Sequence, residues 1–195
     1  PEWIMVKDLD ASSYQWMVQH TSLGATHYGE LSTDNPFYDN DTIWNDTEPT
    51  SSLISIGTHA RVNESASVNY IMYVWSEIPG FSKFGSYTGN GNADGPFVHL
   101  GFRPAFVLLK RYNSAASWVL HDNKRAGYNS DNDYLHPDLS QAESDGSPGT
   151  VDLLSNGFKC TTTSGTHNNS GGTFLYMAFA AQPGATPFDT FANSR

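Results

Sequence analysis

The sequence predicts an all-β fold, an antiparallel β-sandwich built from two tandem pseudo-repeats with roughly ten to twelve strands. Three observations carry that expectation. Charged residues are only 15% of the 195, aromatics reach 13%, and 17 glycines punctuate the chain; an average domain is roughly 25% charged, so long solvated helices are disfavoured. The apolar residues fall in short blocks bounded by Gly, Pro, Asn, Asp or Ser, which suits strands and not helices of about 10–12 residues. The same blocks then return in the same order, the mark of an internal duplication.

Pro1-Glu2-Trp3-Ile4-Met5-Val6-Lys7 opens the chain in strand pattern and is matched in type by Pro104-Ala105-Phe106-Val107-Leu108-Leu109-Lys110, 103 residues on. Trp16-Met17-Val18 is matched by Trp118-Val119-Leu120 at an offset of 102. Leu53-Ile54-Ser55-Ile56-Gly57 lies beside Val151-Asp152-Leu153-Leu154-Ser155-Asn156-Gly157, with two extra residues in the second turn. Val62-Asn63-Glu64-Ser65 resembles His167-Asn168-Asn169-Ser170 at 105. Tyr70-Ile71-Met72-Tyr73-Val74-Trp75 with Pro79-Gly80 matches Phe174-Leu175-Tyr176-Met177-Ala178-Phe179 with Pro183-Gly184 at 104.

Ser155-Asn156-Gly157 signals a hairpin, because Asn-Gly tolerates the positive φ of a tight reversal. Residues 84–88 and 96–100 flank the glycine-rich 89–95 and are expected to form a second strand pair. The expected division is residues 1–81, a first repeat truncated at its N-terminus, and 82–195, a second repeat with its preceding hairpin. Residues 174–180 are apolar on both faces, so both should be covered, one by the opposite sheet and the other by another unit or subunit. Starting at Pro1 in full strand pattern, the sequence reads as a piece of a longer chain or a processed one.

Composition also excludes functions. With 20 Asp+Glu against 10 Lys+Arg the formal charge is −10, which repels phosphate backbones and anionic lipid heads, so nucleic acid is not an expected partner. The longest apolar runs, 70–75 and 174–181, are far shorter than the 18 or more residues of a membrane helix, so no insertion is expected. Cys160 is the only cysteine; no intrachain disulfide exists, and the residue reads as a small buried strand side chain.

Chemistry-bearing patterns are weak. Asp39 and Asp41 in the 34–48 loop, and Asp131 and Asp133 in the 122–138 loop, are candidate calcium ligands, although polar turns use the same residues. Asn90-Gly91-Asn92-Ala93-Asp94-Gly95 imitates the start of a calcium loop, but its twelfth position is Gly101, where a bidentate carboxylate is needed. The seven histidines are scattered without metal-ligand spacing. No nucleophile elbow or phosphate-cradling loop occurs, and no residue is nominated as catalytic. Cofactors are expected to be absent, calcium aside. The sequons at Asn40, Asn45, Asn63 and Asn168 imply nothing without a secretory route. Trp44, Tyr38, Tyr87, Tyr128 and Tyr134 sit in or beside polar loops, where aromatics stack on sugar rings or contact a partner; the competing role is anchoring loops or filling a subunit interface.

The run Tyr70-Ile71-Met72-Tyr73-Val74-Trp75-Ser76-Glu77-Ile78-Pro79-Gly80-Phe81-Ser82-Lys83-Phe84-Gly85-Ser86-Tyr87-Thr88-Gly89-Asn90-Gly91 resembles a module of tailed-phage virion proteins from marine and cyanobacterial viruses. So do Gly101-Phe102-Arg103-Pro104-Ala105-Phe106-Val107-Leu108-Leu109-Lys110-Arg111 and Leu154-Ser155-Asn156-Gly157-Phe158-Lys159. The resemblance spans nearly the whole chain and departs at Ala181, where such proteins more often carry an acid. It implies a C-terminal β-rich module of tail-fibre-like proteins, often associated with concanavalin-like lectin domains, and no reaction. The expectation is a non-enzymatic virion component, a tail fibre or exterior appendage, that forms homo-oligomers and contacts other virion proteins and a host-surface glycan. A capsid-decorating protein and a glycan-binding or glycan-degrading module are the alternatives. At marine salt the Debye length falls to about 3–4 Å, so the net charge would hardly oppose assembly.

Overall fold

A computed structural model describes residues 1–125, 129, 132–146 and 149–181. The strands are β1 (Trp3–Asp8), β2 (Met17–His20), β3 (His27–Glu30), β4 (Tyr38–Asp39), β5 (Tyr70–Trp75), β6 (Ser82–Thr88), β7 (Phe97–His99), β8 (Pro104–Arg111), β9 (Val119–Asp122), β10 (Tyr134–Leu135), β11 (Val151–Leu154), β12 (Gly157–Cys160) and β13 (Thr173–Ala180). Two one-turn helices, α1 (Asp41–Trp44) and α2 (Ala60–Asn63), lie between β4 and β5. The fold is an all-β sandwich of antiparallel sheets.

The first sheet runs β4-β3-β2-β1-β5 and the second β10-β9-β8-β13-β6. The order β2-β1-β5 thus recurs as β9-β8-β13. The register recurs as well: Trp3 opposes Trp75 as Phe106 opposes Phe179, and Met5 opposes Tyr73 as Leu108 opposes Met177. On the other flank Met5 opposes Val18 as Leu108 opposes Leu120. These are the pairs that the sequence offsets of 102–104 bring together.

Alternation then sorts side chains into layers. Trp3 and Val18 of the first sheet meet Phe84, Leu108, Leu175 and Met177 of the second in one core. The other face of the second sheet, with Val107, Leu109, Tyr176 and Ala178, packs on Val98, Leu153, Phe158 and Cys160 of a third sheet ordered β11-β12-β7. Both faces of β13 are therefore covered by this same chain, and its apolar pattern needs no subunit. Burying each such large side chain contributes roughly 1.5–3 kcal/mol. Behind the first sheet, Ile4, Val6 and Met17 are covered by Ile43 and Trp44 of α1 and Val62 of α2.

Several expectations are corrected. Residues 53–57 form no strand; Gly57 closes onto α1, donating to Ile43 O at 2.7 Å, and a Cβ there would lie 2.0 Å from Thr42 O. The helical layer takes the place of a third sheet in this half. Residues 62–63 accordingly sit in α2, whereas 167–170 form no element. β6 and β7 do not pair: β6 joins β13 and β7 joins β12, because residues 89–95 carry the chain from one layer to the next. In the β11–β12 hairpin Leu154 opposes Gly157 across Ser155-Asn156, and neither Asn156 nor Gly157 has a positive φ. Gly157 is required by close approach, since a Cβ would lie 2.1 Å from Val98 O.

Candidate contact surface

The loop aromatics separate by burial. Trp44 is fully buried on α1 and holds that turn against the first sheet, so it is not a contact residue. Tyr87 packs against the core between the second and third sheets, stacked on Phe174 at 4.9 Å, with its hydroxyl donating to His167 O at 2.6 Å. Tyr134 is half-buried against the same core, edge-on to His136 and His167. Tyr38 alone of the described candidates is exposed, tilted against Tyr28 at 6.0 Å. Tyr128 lies outside the described residues. Trp44, Tyr87 and Tyr134 lie in α1, β6 and β10, each with its ring packed against a core.

Asp131 also lies outside the described residues. Asp39 and Asp41 are exposed, and Asp133 Oδ1 accepts from Gly146 N at 3.1 Å. Among the described residues no group of three or more His, Cys, Asp or Glu side chains is gathered to hold a metal. The glycine-rich loop is a chain of Asx turns: Asn90 Oδ1 accepts from Asn92 N and Asn92 Oδ1 from Asp94 N, both at 2.9 Å. Buried Asn168 fastens it, accepting from Asn90 N at 2.8 Å and donating to Asn92 O at 2.7 Å and Thr162 O at 2.9 Å.

Sequence reasoning missed a buried histidine pair. His121 Nε2 and His167 Nε2 meet at 3.0 Å, both rings fully enclosed. His167 Nδ1 is 2.9 Å from Thr166 Oγ1, while His121 Nδ1 has no partner among the described residues. The tautomers that leave no donor unmet put the proton of His121 on Nε2, donating to His167 Nε2, and that of His167 on Nδ1, donating to Thr166. Burial holds both rings neutral, pushing His167 down to about 3 and His121 well below the ordinary range. The pair is a structural brace between β9 and the 164–170 turn; two histidines 46 residues apart carry no local signal.

The exposed apolar surface gathers instead on β5. Alternation places Tyr73 and Trp75 on the face shared with Trp3 and Met5, where Trp16 stacks on Tyr73 at 5.9 Å and Tyr73 leans on Trp75 at 5.9 Å. The second sheet does not reach over Tyr73, which stays 44% exposed, whereas its repeat partner Met177 is 4% exposed. Likewise Trp16 is half-buried and its counterpart Trp118 fully buried. On the opposite face Met72 and Val74 are exposed, and an open cleft of about 560 Å³ runs between Val74, Ser76, Pro1, Leu53 and Ile54. Leu53, which lines the cleft, is exposed, and so is Ile78 just after the strand. No charged residue occurs from Tyr70 to Trp75.

Comparison with known proteins gives one family: the model described as a domain of unknown function, DUF7483, matches residues 1–183. No curated protein and no solved structure matches.

Proposed function

The chain belongs to the DUF7483 family, a domain of unknown function, and we propose that it is a non-enzymatic structural module of a phage virion, part of a tail fibre or exterior appendage. It acts by contact, with other virion proteins and with the host surface. Placement on a particle rests on the sequence resemblance described above. The observation that carries the contact reading is β5, an uncharged edge strand with Tyr73 exposed on one face beside the ring row Trp16–Tyr73–Trp75 and Met72 and Val74 exposed on the other. Exposed apolar side chains gathered on one edge strand of an otherwise acidic chain mark an interaction site.

The exposed Tyr73 ring, flanked by half-buried Trp16 and Trp75, favours a second reading of this face, as a platform for a sugar ring, because an exposed aromatic face matches the apolar face of a pyranose. The test is adsorption of the purified chain to host cells and to a glycan array, with Trp16→Ser/Tyr73→Ser as the comparison, and gold labelling of particles. Adsorption lost in the double variant, with label on the tail, supports the proposal. Label confined to the head supports the capsid-decorating alternative. A monodisperse monomer that binds neither cells nor glycans nor virion proteins overturns it.

A further inference from the structure

We propose that the outer edge of β5 is a strand acceptor: an extended segment of a partner polypeptide adds there antiparallel, in the register that β6 holds against β13. The inference rests on the contact reading of the β5 surface and not on its virion assignment.

The duplication supplies the evidence. β13 is the repeat equivalent of β5, with Phe174, Tyr176 and Ala178 standing where Tyr70, Met72 and Val74 stand. In an antiparallel ladder the backbone groups of alternate residues point to opposite neighbours. Tyr112 N donates to Thr173 O, so odd positions of β13 bond β8; Ala180 N donates to Phe81 O, so even positions bond β6. In the first sheet Leu9 N donates to Asn69 O at 2.9 Å, which turns Ile71, Tyr73 and Trp75 toward β1 and leaves Tyr70, Met72 and Val74 pointing outward. The groups that β6 satisfies on β13 are the ones left open on β5, and no described strand lies beside them.

The other sheet edges are guarded. β4 and β10 are two residues long, β7 three, β11 carries Asp152, and β6 carries Lys83. β5 has six residues with neither charge nor proline, the kind of edge that templates pairing with another chain. The duplication also fixes the chemistry of the occupant. β6 alternates Ser82, Phe84 and Ser86 with Lys83, Gly85 and Tyr87; transferred by the offset of 104, Lys83 would oppose Val74, Gly85 Met72 and Tyr87 Tyr70. Gly85 is needed on β6, opposite Tyr176 of β13, because a Cβ would lie 2.7 Å from the Tyr176 hydroxyl. Met72 presents no such ring, so the β5 site admits a side chain at that position.

The test is residue-resolved amide exchange on the intact chain, with and without a synthetic peptide of residues 81–90 as probe. The expected result is fast exchange at Tyr70, Met72 and Val74 in the free monomer, at least tenfold slower exchange with peptide, and Ile71, Tyr73 and Trp75 protected throughout. Met72→Pro, which removes an outward N–H and no ladder bond to β1, should keep the fold by circular dichroism and abolish peptide binding; Tyr73→Ser should still bind. Protection of the outward amides in the peptide-free monomer would assign the edge to the chain's own residues and overturn the proposal, as would protection that appears only on self-association. No saturable binding, or binding unaltered by Met72→Pro, also overturns it. Adsorption to host cells alongside indifference to the peptide would leave the contact reading standing and remove this one.

Discussion

Lys110 donates its ammonium to the carbonyl oxygen of Asp34 at 2.9 Å, tying a central strand of the second sheet to a loop of the first. The same ammonium reaches Ala116 O and lies 5.6 Å from the Trp118 ring centre. Lys7, its repeat equivalent on β1, donates to Ala11 O at 3.2 Å and Tyr14 O at 2.8 Å. Both lysines brace the connection that follows their own strand; only Lys110 also crosses between layers. Burial pulls it down to about 8, against the opposing pull of Asp138 and Asp34.

Lys110→Met takes the ammonium from the carbonyl of Ala116 and leaves that of Asp34 with only the Ala116 N–H, and is expected to cost about 1–3 kcal/mol in urea unfolding. Lys7→Met, on a half-buried side chain, should cost under about 1 kcal/mol. Because the folded value near 8 lies below the unfolded 10.5, the unfolded chain binds the extra proton between them. Lys110 therefore adds stability as pH rises from 8 to 10.5, an increment the Met variant should lack when the two are compared.

Acid should destabilise the fold through its buried histidines. Burial lowers His20 to about 4 and His167 to about 3, from 6.5 unfolded. Each contribution is complete above pH 6.5 and is lost as pH falls toward the folded value, because the unfolded chain takes up protons the native one refuses. Between pH 6.5 and 5 the loss is about 2 kcal/mol per ring. Thermal unfolding at pH 7 and pH 5 checks it, and His167→Gln should flatten the dependence.

Cys160 should be inert in the native protein. It is fully buried, its thiol pushed up to about 11, with Sγ 3.6 Å from His167 O. A thiol reagent at pH 8 is expected to label it at the rate of unfolding and rapidly in urea. Labelling faster than unfolding would contradict the placement.

Asn168→Ala removes the amide that fastens residues 90–92 and is expected to cost about 1–3 kcal/mol, since several part-buried backbone groups lose their partner together. Proteolysis should then cut the 89–95 loop first. Lys159→Ala, which removes the exposed ion pair with Asp94, should leave the unfolding midpoint in urea close to that of the parent chain.

Much of the fold was legible. Trp3 with Phe106, Val18 with Leu120 and Trp75 with Phe179 were already paired by their offsets, and strand alternation then gives the register. What failed was local chemistry with two meanings. Residues 53–57 have the composition of a strand, yet Gly57 is placed by its approach to α1. Asn-Gly at 156–157 looks like a left-handed turn, yet Gly157 answers the carbonyl of Val98. The one-turn helices are too short for a period of 3.6 to show. In the contact surface, Trp44 beside a polar loop is a sequence candidate and Tyr73 is not, yet Trp44 is buried and Tyr73 is 44% exposed.

The amino-acid order alone determined that one sheet-forming unit is used twice, because side-chain period and repeat offset are properties of the chain. Tertiary structure decided which copies of each residue are hidden. Met177 and Trp118 are covered while Tyr73 and Trp16 are not, and β13 has β6 beside it while β5 has an open flank. Exposure depends on how layers far apart in sequence overlap, and that overlap is set by the packing of whole sheets, which no local pattern encodes.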